Sequence, residues 1–161
     1  MDHNHNYINE KIDFAKSVLE HNLSLINLAD AKAGILLGIN GVVLALLFGM
    51  EKEIPSFLSI IFLFLTAILF GISSIFSIAT LIPRLTQEQN KTKIYFLKIK
   101  ESKREEFIQS WNTLTSDEIL TDYVLNIHNL ASLQTKKYRY LRSSVVITMI
   151  AIGFLIALLL F

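Results

Sequence analysis

The chain has 161 residues, 52% of them hydrophobic, a net charge of +1 and no cysteine. The lack of cysteine excludes disulfides, thiolate nucleophiles and iron–sulfur clusters. Three long stretches carry no charged residue, at 33–50, 54–83 and 143–161, and each is long enough to cross the roughly 30 Å hydrocarbon core as a helix. Because the remaining chain is too short and broken for a conventional enzyme domain, an integral membrane protein is predicted.

The first predicted element is one long helix over residues 6–49. Apolar residues recur every three or four positions from Tyr7 to Ile26, and neither Gly nor Pro interrupts them before the first span. Residues 1–32 are therefore predicted to form a cytoplasmic amphipathic segment, and 33–50 to form the first transmembrane helix. Within this span, small residues form a stripe of the kind that lets membrane helices approach closely: Gly34, Gly38, Gly41, Ala45 and Gly49.

One polar side chain interrupts the first span. Asn40 lies about 12 Å beyond Lys32 along the predicted helix, at about 1.5 Å per residue. An amide at that depth needs a hydrogen-bonding partner. The sequence offers either Asn40 of a second copy or a hydroxyl on a neighbouring helix.

A turn at 51–55 leads into the second predicted span, 56–83, which ends at Pro83 before Arg84. Hydroxyl residues follow one face of this span: Thr66, Ser73, Ser77 and Thr80. The stripe predicts hydrogen bonds to neighbouring helices, and the alternative is that it lines a polar pathway in an assembled pore.

The segment 84–142 is predicted to be helical throughout. Capping-box patterns at 102–105 and 115–118 predict a short helix and then a long helix that continues into the third span, 143–161. The short helix has an apolar side formed by Phe107, Ile108, Trp111 and Leu114. The predicted fold class is therefore an all-α integral membrane protein, with three transmembrane helices and a small cytoplasmic helical bundle formed by helix extensions.

The distribution of positive charge predicts an orientation. Of the fifteen Lys and Arg residues, Lys52 alone lies in the turn between the first two spans, and the other fourteen precede the first span or lie within 84–142. Positive charge favours the cytoplasmic side of a membrane. We therefore expect a cytoplasmic amino terminus, an extracytoplasmic carboxyl terminus, and 84–142 on the cytoplasmic side as a sensor region.

No motif in the sequence indicates catalysis. It contains no Gly-rich phosphate loop and no nucleophile elbow, and His21 and His128 lack other ligands at metal-binding spacing. We therefore predict no enzyme activity, no metal and no cofactor.

Polar residues gather near the predicted cytoplasmic ends of the spans. Anchoring at the membrane surface explains why most of the cations stand near the ends of the spans. It does not explain why an acidic residue, Asp30, stands there. Asp30 is therefore predicted to pair with Lys137 or Arg142, or to accept a hydrogen bond from a ligand. The cluster comprises Asn22, Asn27, Asp30, Lys32, Arg84, Asn126, His128, Asn129, Lys137 and Arg142.

The run from Asn22 to Gly41 contains an Ala-Asp-Ala-Lys-Ala series and an Asn-Gly pair that lead into the first span. This run resembles the signature of the Pycsar transmembrane effectors (PycTM). The resemblance continues at Pro83-Arg84, over 117–130 and over 137–141, so it covers nearly the whole chain. It implies an antiphage effector of the bacterial inner membrane. Such an effector is paired with a cyclase that makes cyclic CMP or cyclic UMP, and it responds by impairing or depolarising the membrane, which causes abortive infection.

The resemblance also implies a cyclic pyrimidine mononucleotide as the regulatory ligand, with no nucleic acid as a partner. Its phosphate would favour a cation, its base would stack on an aromatic ring, and its polar edge would pair with an Asn amide. The candidates are Lys32, Arg84, Lys137 and Arg142 for the phosphate, Tyr95, Phe96, Trp111 and Tyr138 for stacking, and Asn27, Asn126 and Asn129 for pairing.

Three spans are too few to enclose an ion path, so a homo-oligomer is predicted, with the glycine stripe as its contact. Two alternatives to an effector remain open. The first is a membrane-anchored scaffold that recruits a soluble partner through 84–142. The second is a small transporter or holin-like protein that lacks a regulated trigger.

Overall fold

The structure, a computed structural model, describes residues 2–50, 57–82 and 103–160. Within these ranges 96% of the residues are helical and no strand occurs, which confirms the all-α fold class. The helices are α1 (Asp2–Met50), α2 (Phe57–Leu81), α3 (Arg104–Asn112) and α4 (Ser116–Leu160).

Three of these helices are long and apolar enough to cross a membrane. The qualifying segments are Tyr7–Gly49 of α1, the whole of α2 and the whole of α4. The three predicted spans therefore each lie on a helix of sufficient length and composition. The described part of the second span ends at Leu81, and the predicted turn at 51–55 lies outside the described residues.

The two predicted capping boxes differ in outcome. At α4, the Thr115 backbone N–H donates to Glu118 Oε2 over 3.0 Å, and the Glu118 N–H donates to Thr115 Oγ1 over 3.4 Å. This reciprocal pair satisfies two donors that the first turn of a helix leaves free, and it confirms the second box. The described part of the short helix α3 has Lys103 as its N-cap, without a side-chain cap bond. The predicted box at 102–105 begins at a residue outside the described ranges.

The chain divides into two compact units. The first unit comprises Met1–Ile26 and Arg84–Gln134, and the second, which we call the membrane unit, comprises Asn27–Pro83 and Thr135–Phe161. Helices α1 and α4 contribute residues to both units without a break in either helix.

The membrane unit has two apolar clusters. The larger packs Phe70 of α2 with Leu47 of α1 and Ala151 of α4, together with Leu63 and Leu158. The smaller packs Ala29 and Ala33 of α1 against Leu141 and Tyr138 of α4. Alanine at both α1 positions leaves room for the larger α4 side chains, so these two alanines form the small-residue contact of α1 within the unit.

The first unit buries few side chains. Among its described residues, Ala15, Ile26 and Asp122 are buried. Large apolar side chains on each of its described helices are exposed, including Phe14 on α1, Trp111 on α3 and Val124 on α4.

Candidate functional site

A ring of polar side chains joins the three helices of the membrane unit. Asn40 of α1 donates through Nδ2 to Ser73 Oγ of α2 over 2.9 Å. Ser73 Oγ lies 2.6 Å from Thr148 Oγ1 of α4, and Thr148 Oγ1 donates to Asn40 Oδ1 over 3.3 Å. Each helix contributes one residue to the ring, and all three residues are buried.

Ser73 is the centre of these contacts. Its hydroxyl oxygen accepts from the Asn40 amide. Its single proton has two acceptors within reach, the Ser144 carbonyl oxygen at 3.0 Å and the Thr148 hydroxyl oxygen at 2.6 Å. Hydrogen bonds that share an atom in this way polarise one another.

A second pair of hydroxyls extends the ring along α2 and α4. Ser144 Oγ donates to the Ser73 carbonyl oxygen over 2.8 Å and lies 2.7 Å from Ser77 Oγ. Because the Ser144 proton goes to the carbonyl, Ser77 donates to Ser144. We call these five residues, Asn40, Ser73, Ser77, Ser144 and Thr148, the polar network.

The polar network explains how Asn40 is accommodated in an apolar span. Of the two partners expected from the sequence, the structure has the hydroxyl on a neighbouring helix. Lipid provides no competing hydrogen bonds, so polar side chains in membrane helices bond across helices. Ser144 and Thr148 were not among the predicted residues, although they stand four positions apart and so share a helix face.

The remaining hydroxyls of the α2 stripe have other environments. Thr80 donates to the Phe76 carbonyl oxygen of its own helix over 3.0 Å. Thr66 is fully buried, and its Oγ1 has no hydrogen-bonding partner in the part of the chain that the structure describes. The hydroxyl stripe therefore faces inward among the helices of one copy, and its central members bond to α1 and α4.

An ion pair joins α1 and α4 near the beginning of the first span. Lys137 Nζ donates to both carboxylate oxygens of Asp30, at 2.5 and 2.7 Å. Lys137 is 7% exposed, whereas the Asp30 side chain is 33% exposed. This contact confirms the predicted pairing of Asp30 with Lys137. A charge-assisted bond to both oxygens fixes the orientation of the two side chains.

The other predicted ligand residues with described positions belong to both units. In the membrane unit, Asn27, Lys32 and Arg142 are exposed, and Tyr138 packs against the cluster of Ala29 and Ala33. Two of the predicted Asn residues, Asn126 and Asn129, belong to the first unit and are half-buried. Three further candidates lie outside the described residues: Arg84, Tyr95 and Phe96.

Within one copy, the glycine stripe of α1 contacts no other helix in the part of the chain that the structure describes. The stripe residues Gly34, Gly38, Gly41, Ala45 and Gly49 are all exposed. A Cβ atom added at any of these glycines would meet nothing within 4 Å. The stripe therefore lies on the opposite side of α1 from Asn40, and its predicted role in close packing does not apply within one copy.

The first unit contains a groove that sequence reasoning missed. It has a volume of about 460 Å³ and lies between the beginnings of α1 and α4. Most of its lining is apolar, and Lys11 at its edge lies 4.3 Å from the centre of the Tyr7 ring. The lining residues are Tyr7, Glu10, Lys11, Phe14, Ala15, Val18, Leu120, Val124 and Ile127.

Among the described residues, no group of three His, Cys, Asp or Glu side chains is placed to hold a metal ion. Within the polar network, Ser73 has no capacity for a further bond, because its Oγ has four polar atoms within 3.0 Å and a hydroxyl supports at most three bonds.

The fold is that of a small helical membrane protein. Its three membrane-spanning helices are joined by a buried polar network, and further helical segments lie outside the spans. The sequence matches the family model of the Pycsar effector protein domain (PycTM) over residues 14–161, nearly the whole chain. The chain therefore belongs to the Pycsar effector family, whose members are antiphage effectors in cyclase-paired systems. Neither the curated proteins nor the solved structures contain a match.

Proposed function

We propose that this chain senses cyclic CMP or cyclic UMP and, in response, impairs or depolarises the bacterial inner membrane, so that an infected cell stops growing before phage is released. The proposal requires no catalysis by the chain itself. The observation that carries it is the family match over 14–161 in a chain with three candidate spans. The amino terminus is proposed to be cytoplasmic, and the carboxyl terminus extracytoplasmic.

Helix continuity supports a sensing role. Both α1 and α4 run unbroken from the first unit into the membrane unit. A ligand that binds one conformation of the cytoplasmic helices better than another shifts the population of that conformation. Because the same helices cross the membrane, such a shift can move their spans.

The ion pair restricts which cations can bind the ligand phosphate. Lys137 is buried and already bonded to Asp30, whereas Lys32 and Arg142 are exposed in the same unit. We therefore propose Lys32 and Arg142 as phosphate contacts and Lys137 as a structural residue. Lys32→Ala and Arg142→Ala should each raise the nucleotide concentration needed for a response without lowering the unfolding midpoint. Isothermal titration with cyclic CMP and cyclic UMP measures the first effect, and Lys136→Ala, a neighbouring exposed cation, is the matched control.

A response that permeabilises the membrane requires several copies. One copy supplies three spans, and its hydroxyl stripe is turned inward. The exposed glycine stripe of α1 meets nothing within its own copy, so it is free to contact α1 of another copy, and glycine at such a contact allows close backbone approach. We propose that this stripe is the contact between copies in the membrane.

The double variant Gly38→Leu/Gly41→Leu tests the contact between copies. Because an added side chain has open space within the copy, the fold of the single chain should survive. The oligomer in mild detergent should dissociate, as measured by light scattering coupled to size exclusion. Ile35→Leu/Val42→Leu, at exposed positions outside the stripe, is the matched control. An unchanged oligomer in the glycine variant would exclude this stripe as the contact.

The proposed function is tested in living bacteria with a voltage-sensitive dye. Cells that express the chain together with an active pyrimidine cyclase should depolarise, and cells that express it with a catalytically inactive cyclase should not. Depolarisation with both cyclases would favour a holin-like protein without a trigger. No depolarisation with either, at verified expression, would favour a scaffold.

A further inference from the structure

We propose that the groove of the first unit binds helix α3 of a second copy, which gives the assembled protein a contact outside the membrane in addition to the glycine stripe. The inference rests on the proposed assembly of several copies. Two unpartnered apolar surfaces on the same unit carry it, and they match in length and in charge.

The groove is an apolar surface that the described residues of its own copy leave open. Phe14 is 72% exposed, Tyr7 56% and Val124 53%. These residues lie in the first unit, whose helix segments precede the charge-free stretches of α1 and α4, so lipid does not account for their exposure. An apolar groove exposed to water is characteristic of a binding surface.

Helix α3 is the complementary surface. None of its residues is buried, and Ile108 and Trp111 are each 49% exposed. Phe107 and Trp111 stand at positions i and i+4 on one face of α3, a spacing with which an amphipathic helix fills a groove. No α3 residue lines the groove of its own copy.

Length and charge fit this pairing. The groove follows α1 from Tyr7 to Val18, about 17 Å, whereas the nine residues of α3 extend about 14 Å at 1.5 Å per residue. The groove edge carries Lys11 and Glu10, and the first turn of α3 carries acids and a base. Opposite charges at the rim of an interface favour one orientation of binding. The α3 charges are Arg104, Glu105 and Glu106.

A small polar ligand fits the groove less well. Lys11 and Glu10 provide its charged groups, and most of the lining is apolar. The groove therefore favours an apolar occupant.

The contact joins two different surfaces, a groove and a helix, so it can form in two ways. In a two-fold dimer it occurs twice, because each copy places its α3 in the groove of the other. In a ring each copy places its α3 in the groove of the next copy.

Because the chain has no cysteine, engineered disulfides test the contact directly. One tagged copy carries Val124→Cys in the groove, and a differently tagged copy carries Ile108→Cys on α3. Under mild oxidation in native membranes we expect a disulfide between the two tags. The control pairs Asn9→Cys with Ile108→Cys, and Gln109→Cys with Val124→Cys, use exposed positions on the opposite faces of α1 and α3 and should give none.

Placing Val124→Cys and Ile108→Cys in one chain tests the alternative that α3 occupies the groove of its own copy. A disulfide that forms only within the double-cysteine chain would overturn the proposal, since α3 would then occupy its own groove. Equal cross-linking in the control pairs would also overturn it.

Trp111 is the single tryptophan and provides an independent readout. In the assembled protein its emission should lie at shorter wavelength than in the variant Val124→Asp, and Asn9→Asp should leave it unchanged. The oligomer mass is measured on the same samples. An intact oligomer whose Trp111 emission does not respond to Val124→Asp would overturn this interface alone, whereas a monomer at every concentration would overturn both this interface and the proposed assembly.

Discussion

The membrane unit and the first unit differ in which polar side chains they bury and in what their exposed apolar side chains form. In the membrane unit, the ring residues Asn40, Ser73 and Thr148 are buried while large apolar side chains such as Ile35 and Phe64 face outward. In the first unit, apolar side chains line an open groove, and Asp122 is the one polar residue buried among those described.

The difference follows from the solvent that each unit meets. Lipid is as apolar as leucine, so burying apolar surface does little to hold membrane helices together, and hydrogen bonds and close packing decide their arrangement. Water penalises exposed apolar surface, so the groove of the first unit indicates a surface that a partner covers. Exposed apolar residues therefore carry no functional meaning in one unit and indicate a binding surface in the other.

The largest effect is expected from removing one member of the ion pair. Lys137→Met would leave the partly buried Asp30 carboxylate without its cation, which should cost about 2 kcal/mol, below the value for fully buried pairs because Asp30 is one-third exposed. Reversible unfolding in mixed micelles measures the cost. The control Lys136→Met removes an exposed lysine and should change little. Asp30→Leu/Lys137→Met should recover most of the loss, and a double variant as unstable as the single one would contradict this account.

The next largest effect is expected in the polar network, where the stability losses of Ser73→Ala and Ser74→Ala are compared. Ser73→Ala removes the residue that joins α1, α2 and α4, and we expect a loss of about 1–2 kcal/mol from several interhelical bonds. Ser74 bonds to the Phe70 carbonyl oxygen of its own helix, so Ser74→Ala should be nearly neutral. The same unfolding measurement compares them. Equal losses would mean that the network contributes no more than an ordinary helical hydroxyl.

A smaller effect concerns cooperativity within the ring. Asn40→Ala and Thr148→Val each break the circular arrangement, so the second substitution should cost less once the first is present. We expect a coupling free energy of about 0.5–1 kcal/mol from the double-mutant cycle. Strictly additive losses would show that the three bonds act independently.

The smallest effect is expected at Thr66. Its hydroxyl is buried without a partner, so replacing it by the similarly shaped Val removes a desolvated polar group at little cost. Thr66→Val should leave the free energy of unfolding within about 0.5 kcal/mol of the original value or raise it. A clear loss of stability would mean that the Thr66 hydroxyl does form a hydrogen bond in the folded protein.

The sequence predicted the individual polar residues better than it predicted their partners. The depth of Asn40 in a span and the position of Asp30 before it required partners, and both were found on neighbouring helices. Ser144 and Thr148 were missed because the residues of α4 that face α2 depend on how far the helices are shifted along each other. That shift results from side-chain packing over the whole unit, which the spacing within one helix does not contain.

The sequence also did not predict which face of α1 turns inward. The span carries a glycine stripe and a second face with Ala33 and Asn40, and both suit close packing. The structure turns the second face inward because Asn40 must reach Ser73. The groove was missed because residues from two stretches more than a hundred positions apart form it, and each stretch alone is typical of an ordinary amphipathic helix.

The most direct test of nucleotide-gated membrane damage uses the purified protein in liposomes with a potassium gradient and a voltage-sensitive dye. Cyclic CMP, cyclic UMP and cyclic AMP are added separately to liposomes whose protein has its amino terminus accessible. We predict that the membrane potential collapses with cyclic CMP or cyclic UMP and persists with cyclic AMP or without nucleotide. Collapse without any nucleotide, or persistence with all three, would contradict the account.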